Sequence, residues 1–245
     1  MPLEIEWLGH ASVLIELDGV RVITDPLLRR RTGPLVRVVP PVRPDAARDV
    51  DAVLLSHLHA DHADPASLRR ITAPVVAPRG AAGWLRRHRV RDARELSAGE
   101  ALPLGALEVL GVRARHEDHR YPLGPTAEPL GFVVRGSKSV YFAGDTDLFD
   151  EMAELRGVDV ALLPVWGWGT KLGPGHLDPA RAAQAAAIIS PRVAIPIHWG
   201  TLAMPRPVGP GRASETPPQR FAELAAREAP QVEVRVLRPG ERTTV

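Results

Sequence analysis

Cysteine is absent from the 245 residues, which excludes a disulfide framework, a thiolate metal site and a Cys nucleophile together. Any metal would have to be held by imidazole and carboxylate. Lysine is nearly absent as well: Lys138 and Lys171 are exceptions in a basic complement that is otherwise arginine. Aromatic residues make up only 4 % and the formal net charge is +2, so the chain lacks the basic, aromatic-rich surface expected of a nucleic-acid binder. A sequence pI near 9.5 does not oppose that reading. With no Cys, two Tyr and so few lysines, little titrates just above neutrality, and a small positive balance persists upward. No apolar run reaches membrane-spanning length, and Met1 to Glu6 lacks the basic start and apolar stretch of an export leader. The expected location is therefore cytoplasmic, without integral membrane association.

The chain is 44 % hydrophobic and 24 % charged, in line with one soluble globular domain spanning residues 1–245. Ser12 to Leu17 and Val20 to Thr24 read as strands joined by the hairpin signal Asp18-Gly19. Val53 to Ser56 reads as a short buried strand, followed by a helix capped by Asp64 and opening at Pro65. Further strands are expected over Leu107 to Arg115, Gly131 to Tyr141 (broken by a turn at Arg135-Gly136-Ser137), Val158 to Pro164, Val193 to Ile197 and Val232 to Leu237. Asp178-Pro179 opens a helix with Ala182, Ala185, Ala186 and Ile189 on one face, and Thr216-Pro217-Pro218-Gln219 has capping-box spacing. Strands with interspersed helices imply sheets covered by helices. Three Pro/Gly-rich stretches, residues 28–48, 166–176 and 202–218, are expected to border a site and set its specificity.

The most informative segment is Ser56-His57-Leu58-His59-Ala60-Asp61-His62. His57 and His59, two apart, point to one side of an extended chain, and Asp61 and His62 follow as the chain turns toward a helix. Such a donor set suits Zn²⁺, with Mn²⁺ or Fe as alternatives. Three more ligand-type residues follow strand ends: His116, Asp145 after Gly144, and His198. His119, three residues on from His116, is the competing choice; His116 is preferred because it directly follows the strand. His88, within Arg86-Arg87-His88-Arg89, reads as part of a solvated face. Asp25 reads equally as a support for a ligand His or a turn cap, and Trp166 and Trp168 as pocket walls or core.

The His57-to-His62 motif resembles the metallo-β-lactamase superfamily signature. The resemblance continues through His116, Gly144-Asp145-Thr146 and His198-Trp199-Gly200-Thr201, and through Trp7-Leu8-Gly9-His10-Ala11-Ser12 and Thr24-Asp25-Pro26. Gly175-His176-Leu177-Asp178-Pro179 and Gly240-Glu241-Arg242 make it most similar to the branch of N-acyl-phosphatidylethanolamine phospholipase D and L-ascorbate-6-phosphate lactonase. The resemblance implies an α/β (α+β) four-layer αββα sandwich with two divalent metal ions. By that resemblance His57, His59 and His116 would hold one ion, Asp61, His62 and His198 the other, and Asp145 would bridge. It further implies hydrolysis of a small ester, lactone or phosphodiester by a bridging hydroxide, with Asp61, Asp145 and His176 catalytic, and supporting or substrate roles for His10 and His176. The substrate expected is a small molecule, anionic or oxygen-rich. The alternatives are a nuclease of the same superfamily and a non-catalytic metal-binding module.

Overall fold

In the computed structural model, which describes residues 2–120, 124–169, 171–205 and 216–245, the chain starts with a meander. Glu4–Gly9 (β1) and Ser12–Leu17 (β2) pair antiparallel, and Asp18 and Gly19, both at positive φ (50° and 79°), return the chain into Val20–Thr24 (β3). That is the left-handed turn Asp-Gly favours because it matches strand twist. The chain continues through Arg31–Thr32 (β4), Leu35–Arg37 (β5), Ala52–Leu54 (β6), the single-turn helix Pro65–Leu68 (α1), Val75–Pro78 (β7), Ala82–Arg87 (α2), Ala93–Leu96 (β8), Ala101–Leu104 (β9) and Leu107–Arg113 (β10). The second half comprises Leu130–Arg135 (β11), Ser139–Phe142 (β12), a 3₁₀ turn at Asp150–Leu155, Val160–Pro164 (β13), Pro179–Ile189 (α3), Val193–Ile197 (β14), Leu202–Ala203 (β15), Thr216–Glu228 (α4), Glu233–Val234 (β16) and Glu241–Thr244 (β17).

Two seven-stranded sheets result, ordered β17-β1-β2-β3-β6-β7-β8 and β16-β14-β13-β12-β11-β10-β9, beside a small sheet β15-β5-β4. Period-two burial assigns the faces of the first sheet. Ile5, Trp7, Val13, Ile15, Val22, Leu54 and Val76 join one apolar core with Phe132, Val134 and Phe142 of the second sheet. Leu8, Leu14, Ile23, Val53, Val75 and Ala77 face the other way and pack with Leu68, Trp84 and Leu85 of α1 and α2. Helices α3 and α4 pack on β13 and β14 and on each other, placing Ala182, Ala186, Ile189, Phe221 and Ala225 in the core. The architecture is helices, sheet, sheet, helices, as expected from the sequence. Among the described residues no helix is long and apolar enough to cross a membrane.

Each sheet combines antiparallel hairpins with a parallel run, β3-β6-β7-β8 in one and β12-β13-β14-β16 in the other. The carboxyl ends of β1, β3, β6, β10, β12, β13 and β14 therefore open on common edges. His10, Asp25, His57, His116, Asp145, Trp166 and His198 lie at or just beyond those ends. In open α/β sheets this is the edge that binds ligands.

The Pro-rich stretch 28–48 is not loop throughout. It supplies β4 and β5, and buried Glu6 ties its Arg43 to the sheet (Nη2–Oε1 2.9 Å), with Arg242 completing the cluster (Nε–Oε2 2.7 Å). The expected strand from Val232 to Leu237 shrinks to Glu233–Val234, because only Val193 and Ala194 of β14 face it as partners.

Phe132 lies wholly buried between the sheets. Phe132→Ala is expected to cost about 3–5 kcal/mol in urea denaturation, with metal stoichiometry unchanged.

Candidate metal centre

The histidine-rich turn is held from several sides. Asp25, at the end of β3, accepts from the Ser56 backbone N–H (2.7 Å), the Ser56 hydroxyl (2.5 Å) and His62 Nδ1 (2.7 Å). Thr32 donates to the Ala60 carbonyl (2.7 Å), Arg120 donates to the carbonyls of Leu58 and Ala63, and Asp64 caps α1 through the Ser67 N–H. Gly144 is required where β12 meets this turn: its φ is 61°, and a Cβ there would lie 2.7 Å from Ser56 Cβ. His10 (54°), Asp25 (31°) and His198 (62°) also carry positive φ, so backbone strain gathers at the same place.

Each imidazole is tied at one nitrogen. His62 Nδ1 donates to Asp25, His116 Nδ1 to the Gly175 carbonyl (2.7 Å), His198 Nδ1 to the Trp166 carbonyl (2.7 Å) and His59 Nε2 to the His119 carbonyl (3.1 Å). His57 Nδ1 donates to the Ser56 hydroxyl (2.9 Å), whose own proton goes to Asp25. The remaining nitrogens then present lone pairs to one another: His62 Nε2 lies 3.1 Å from His198 Nε2, and His116 Nε2 lies 3.0 Å from His59 Nδ1. His57 Nε2 and Asp145 Oδ1 are buried without a hydrogen-bond partner. Facing lone pairs and orphaned acceptors are costly unless a cation lies among them. A proton relieves one such pair; a divalent ion relieves several. The donor set fits metal.

The donor atoms fall into overlapping groups whose members lie within 4.8 Å of one another: His57, His59 and His116; His10, Asp61, His62 and His198; His116, Asp145 and His176; and Asp25, His57 and His62. Asp145 groups with His116 and His176 and also approaches the second group, with Oδ2 at 3.2 Å from His62 Nε2 and 3.5 Å from His176 Nε2, and Oδ1 at 3.3 Å from His198 Nε2. Among the described residues His119 joins none of these groups and contributes its carbonyl instead.

Burial drives the protonation pattern. It pushes His57 well down, lowers His59 and His116, and takes His198 to about 3, leaving these rings neutral at pH 7. Burial also opposes the charge on His62, but Asp145 and Asp61, with the hydrogen bonds to Asp145 and Asp25, outweigh it and hold His62 well above 6.5. Burial likewise opposes the charges on Asp61 and Asp145, yet neighbouring imidazoles, chiefly His62 and His198 respectively, keep both well below the usual carboxylate range. His176, despite burial, is raised to about 9 by Asp145.

A cleft of about 330 Å³ opens over the group, bordered by Asp61, Asp145, His176 and His198 and by Trp168 and Lys171 of the 166–176 stretch. Trp168 is 41 % exposed there, whereas Trp166 packs partly against the core and uses its carbonyl to hold His198. The 28–48 stretch lines a different cavity, with Arg70 and Ile71, because its anchors draw it to the outer face of the first sheet. Most of the third stretch, residues 206–215, lies outside the described residues. His88 bonds the Trp84 carbonyl and lies tilted against that ring, with centroids 4.2 Å apart, away from the centre. His10 is buried, with Nε2 3.1 Å from Asp61 Oδ2. The carbonyls of Trp166 and Gly175, which hold His198 and His116, carry no residue-type signal and were missed in the sequence.

Comparison with known proteins shows the family and the fold. The Beta-lactamase superfamily domain matches residues 20–199. A UPF0173 metal-dependent hydrolase from Methanopyrus kandleri is 35 % identical over 98 % of this chain and 98 % of its own. Another from Archaeoglobus fulgidus is 30 % identical, covering 98 % and 97 %. A metallo hydrolase from Ignicoccus hospitalis superposes with a TM-score of 0.77 at 25 % identity, over 100 % of this chain and 99 % of the other. An isothiocyanate hydrolase from Delia radicum gut bacteria has a TM-score of 0.73 at 16 % identity, covers 98 % of both chains, and shares the fold.

Two predictions concern metal uptake. Asp25→Asn keeps the shape but weakens the acceptor that orients His62, and should reduce Zn²⁺ affinity about 10–100-fold in competition with a chromophoric chelator. The second concerns pH. His62 keeps its proton in the metal-free protein above pH 6.5, and a metal must displace it. Zn²⁺ binding near neutrality should therefore release protons, and affinity should weaken as pH falls. Calorimetry in two buffers of different ionisation enthalpy measures that release; identical heats would contradict it.

Proposed function

The chain belongs to the beta-lactamase superfamily and to its metal-dependent hydrolases, and on that premise we propose a dinuclear hydrolase of small esters, lactones or phosphodiesters. His57, His59 and His116 would hold the first ion and Asp61, His62 and His198 the second, with Asp145 available to both. The observation that carries this reading is the set of inward lone pairs on imidazoles whose other nitrogens are all committed to oxygen acceptors. All-His/Asp donors suit Zn²⁺ and tolerate Mn²⁺ or Fe.

When bound, two divalent ions supply an activated water at neutral pH and draw charge from the substrate oxygen. The chain's residues do the rest. Asp61, partly open to the cleft, orients the attacking water through its carboxylate. His176, also at the cleft wall with Nε2 3.5 Å from Asp145 Oδ2, is placed to pass a proton to a departing oxygen. The cleft suits a small molecule, and Trp168 and Lys171 offer an apolar face and a cation to an anionic or oxygen-rich one.

The test is a substrate panel of 4-nitrophenyl acetate, δ-valerolactone and bis(p-nitrophenyl) phosphate, run with Zn²⁺ and Mn²⁺ separately beside His57→Ala. Wild-type turnover of at least one substrate is expected, with a loss in the variant exceeding the ~10–100-fold that supporting groups cost. Stoichiometric metal without turnover across a wider panel would favour a binding module, and full activity in metal-depleted protein would sink the mechanism.

A further inference from the structure

His10 occupies an unusual position. It ends the β1 turn in a left-handed conformation (φ 54°) that a non-glycine residue adopts at a cost, and it is buried. Three backbone contacts hold it there: its N–H donates to Thr201 Oγ1 (2.7 Å), and its carbonyl accepts from Trp7 Nε1 (2.9 Å) and from the His198 N–H (2.9 Å). The ring lies 3.9 Å from the His198 ring and reaches Asp61 Oδ2 at 3.1 Å. One residue thus grips two members of the second group, His198 through its main chain and Asp61 through its side chain. Its donor atom groups with Asp61, His62 and His198, not with His57, His59 and His116.

We propose that His10 is the positioning residue that assembles the second metal position, and that without its side chain the protein binds one ion tightly instead of two. This rests on the dinuclear reading above. Asp61 projects from a turn, and its side chain is 14 % exposed at the cleft wall. An ionised carboxylate only accepts hydrogen bonds, so the short contact to His10 calls for a proton on Nε2. That proton holds Asp61 beside His62 and His198 and prevents Nε2 from ligating. Asp61, His62, His198 and Asp145 already provide four donors without it. The first group takes its order from Ser56, Gly175 and the His119 carbonyl instead.

The test uses two isosteres and metal counting. Asn tolerates the left-handed backbone, but its amide nitrogen takes the place of Nδ1 and stops short of Asp61. The Gln amide nitrogen takes the place of Nε2 and reaches it. Zn²⁺ titration against a chromophoric chelator should give two tight equivalents for the wild type and for His10→Gln. His10→Asn should retain one, with the other weakened at least tenfold. In Co²⁺-loaded protein, the visible bands of the second site should match between wild type and His10→Gln. The proposal is overturned if His10→Asn keeps both ions at wild-type affinity or loses both together. It is also overturned if His10→Gln loses the second ion with altered Co²⁺ bands, which would make His10 a ligand. Wild-type protein taking up fewer than two ions would instead overturn the dinuclear reading itself.

Discussion

Repulsion between imidazole lone pairs is the constraint around which this molecule is organised. Five histidine rings are turned by outward hydrogen bonds so that their inner nitrogens crowd into one space, where the proton on His62 can relieve only part of the repulsion. Such an arrangement is unfavourable in isolation, and rigid surroundings must keep it from relaxing. Asp25 is central to that rigidity, since one carboxylate fixes the Ser56 backbone, the Ser56 hydroxyl and the His62 ring together. Positive φ at Asp25, His10 and His198 shows where the backbone bears part of the cost.

The sheets explain how distant residues reach one point. Parallel strands bring their carboxyl ends to a common edge, and a residue just past each end lands within a few ångströms of the others. Hairpins at the start of each sheet preserve the directions, so β1 and β10 end on those edges as well. The covering helices keep apolar pressure on the sheets from outside while the strand ends remain polar.

Much of this was legible in the sequence because it has a strong local cause. Asp18-Gly19 dictates a hairpin, Asp178-Pro179 a capped helix, and the uninterrupted apolar run Val193–Ile197 a buried strand, each found in place. The spacing of His57, His59, Asp61 and His62 pointed to convergence without any knowledge of the sheet. What escaped notice lacked such a cause. β7 is flanked by Pro74 and ends on Pro78, which mask its pairing, and α2 buries only Trp84 and Leu85 among arginines, too few for a helical stripe. β17 is largely exposed and charged, and is a strand only because β1 offers an edge. Within the site, the position of His10 depends on contacts across 51 and 191 residues, to Asp61 and Thr201, and no local pattern encodes those.

The two sheets contribute unequally to the centre: His57, His59, Asp61 and His62 follow a strand of the first, whereas His116, Asp145 and His198 follow strands of the second. Both proposed ions draw donors from both sheets. A bound ion would then be a rivet through the sandwich at a rim where polar strand ends replace interlocking apolar side chains. The same coordination that would perform chemistry would also close the open seam of the fold, so that catalytic competence and the mechanical integrity of that rim would be gained and lost together.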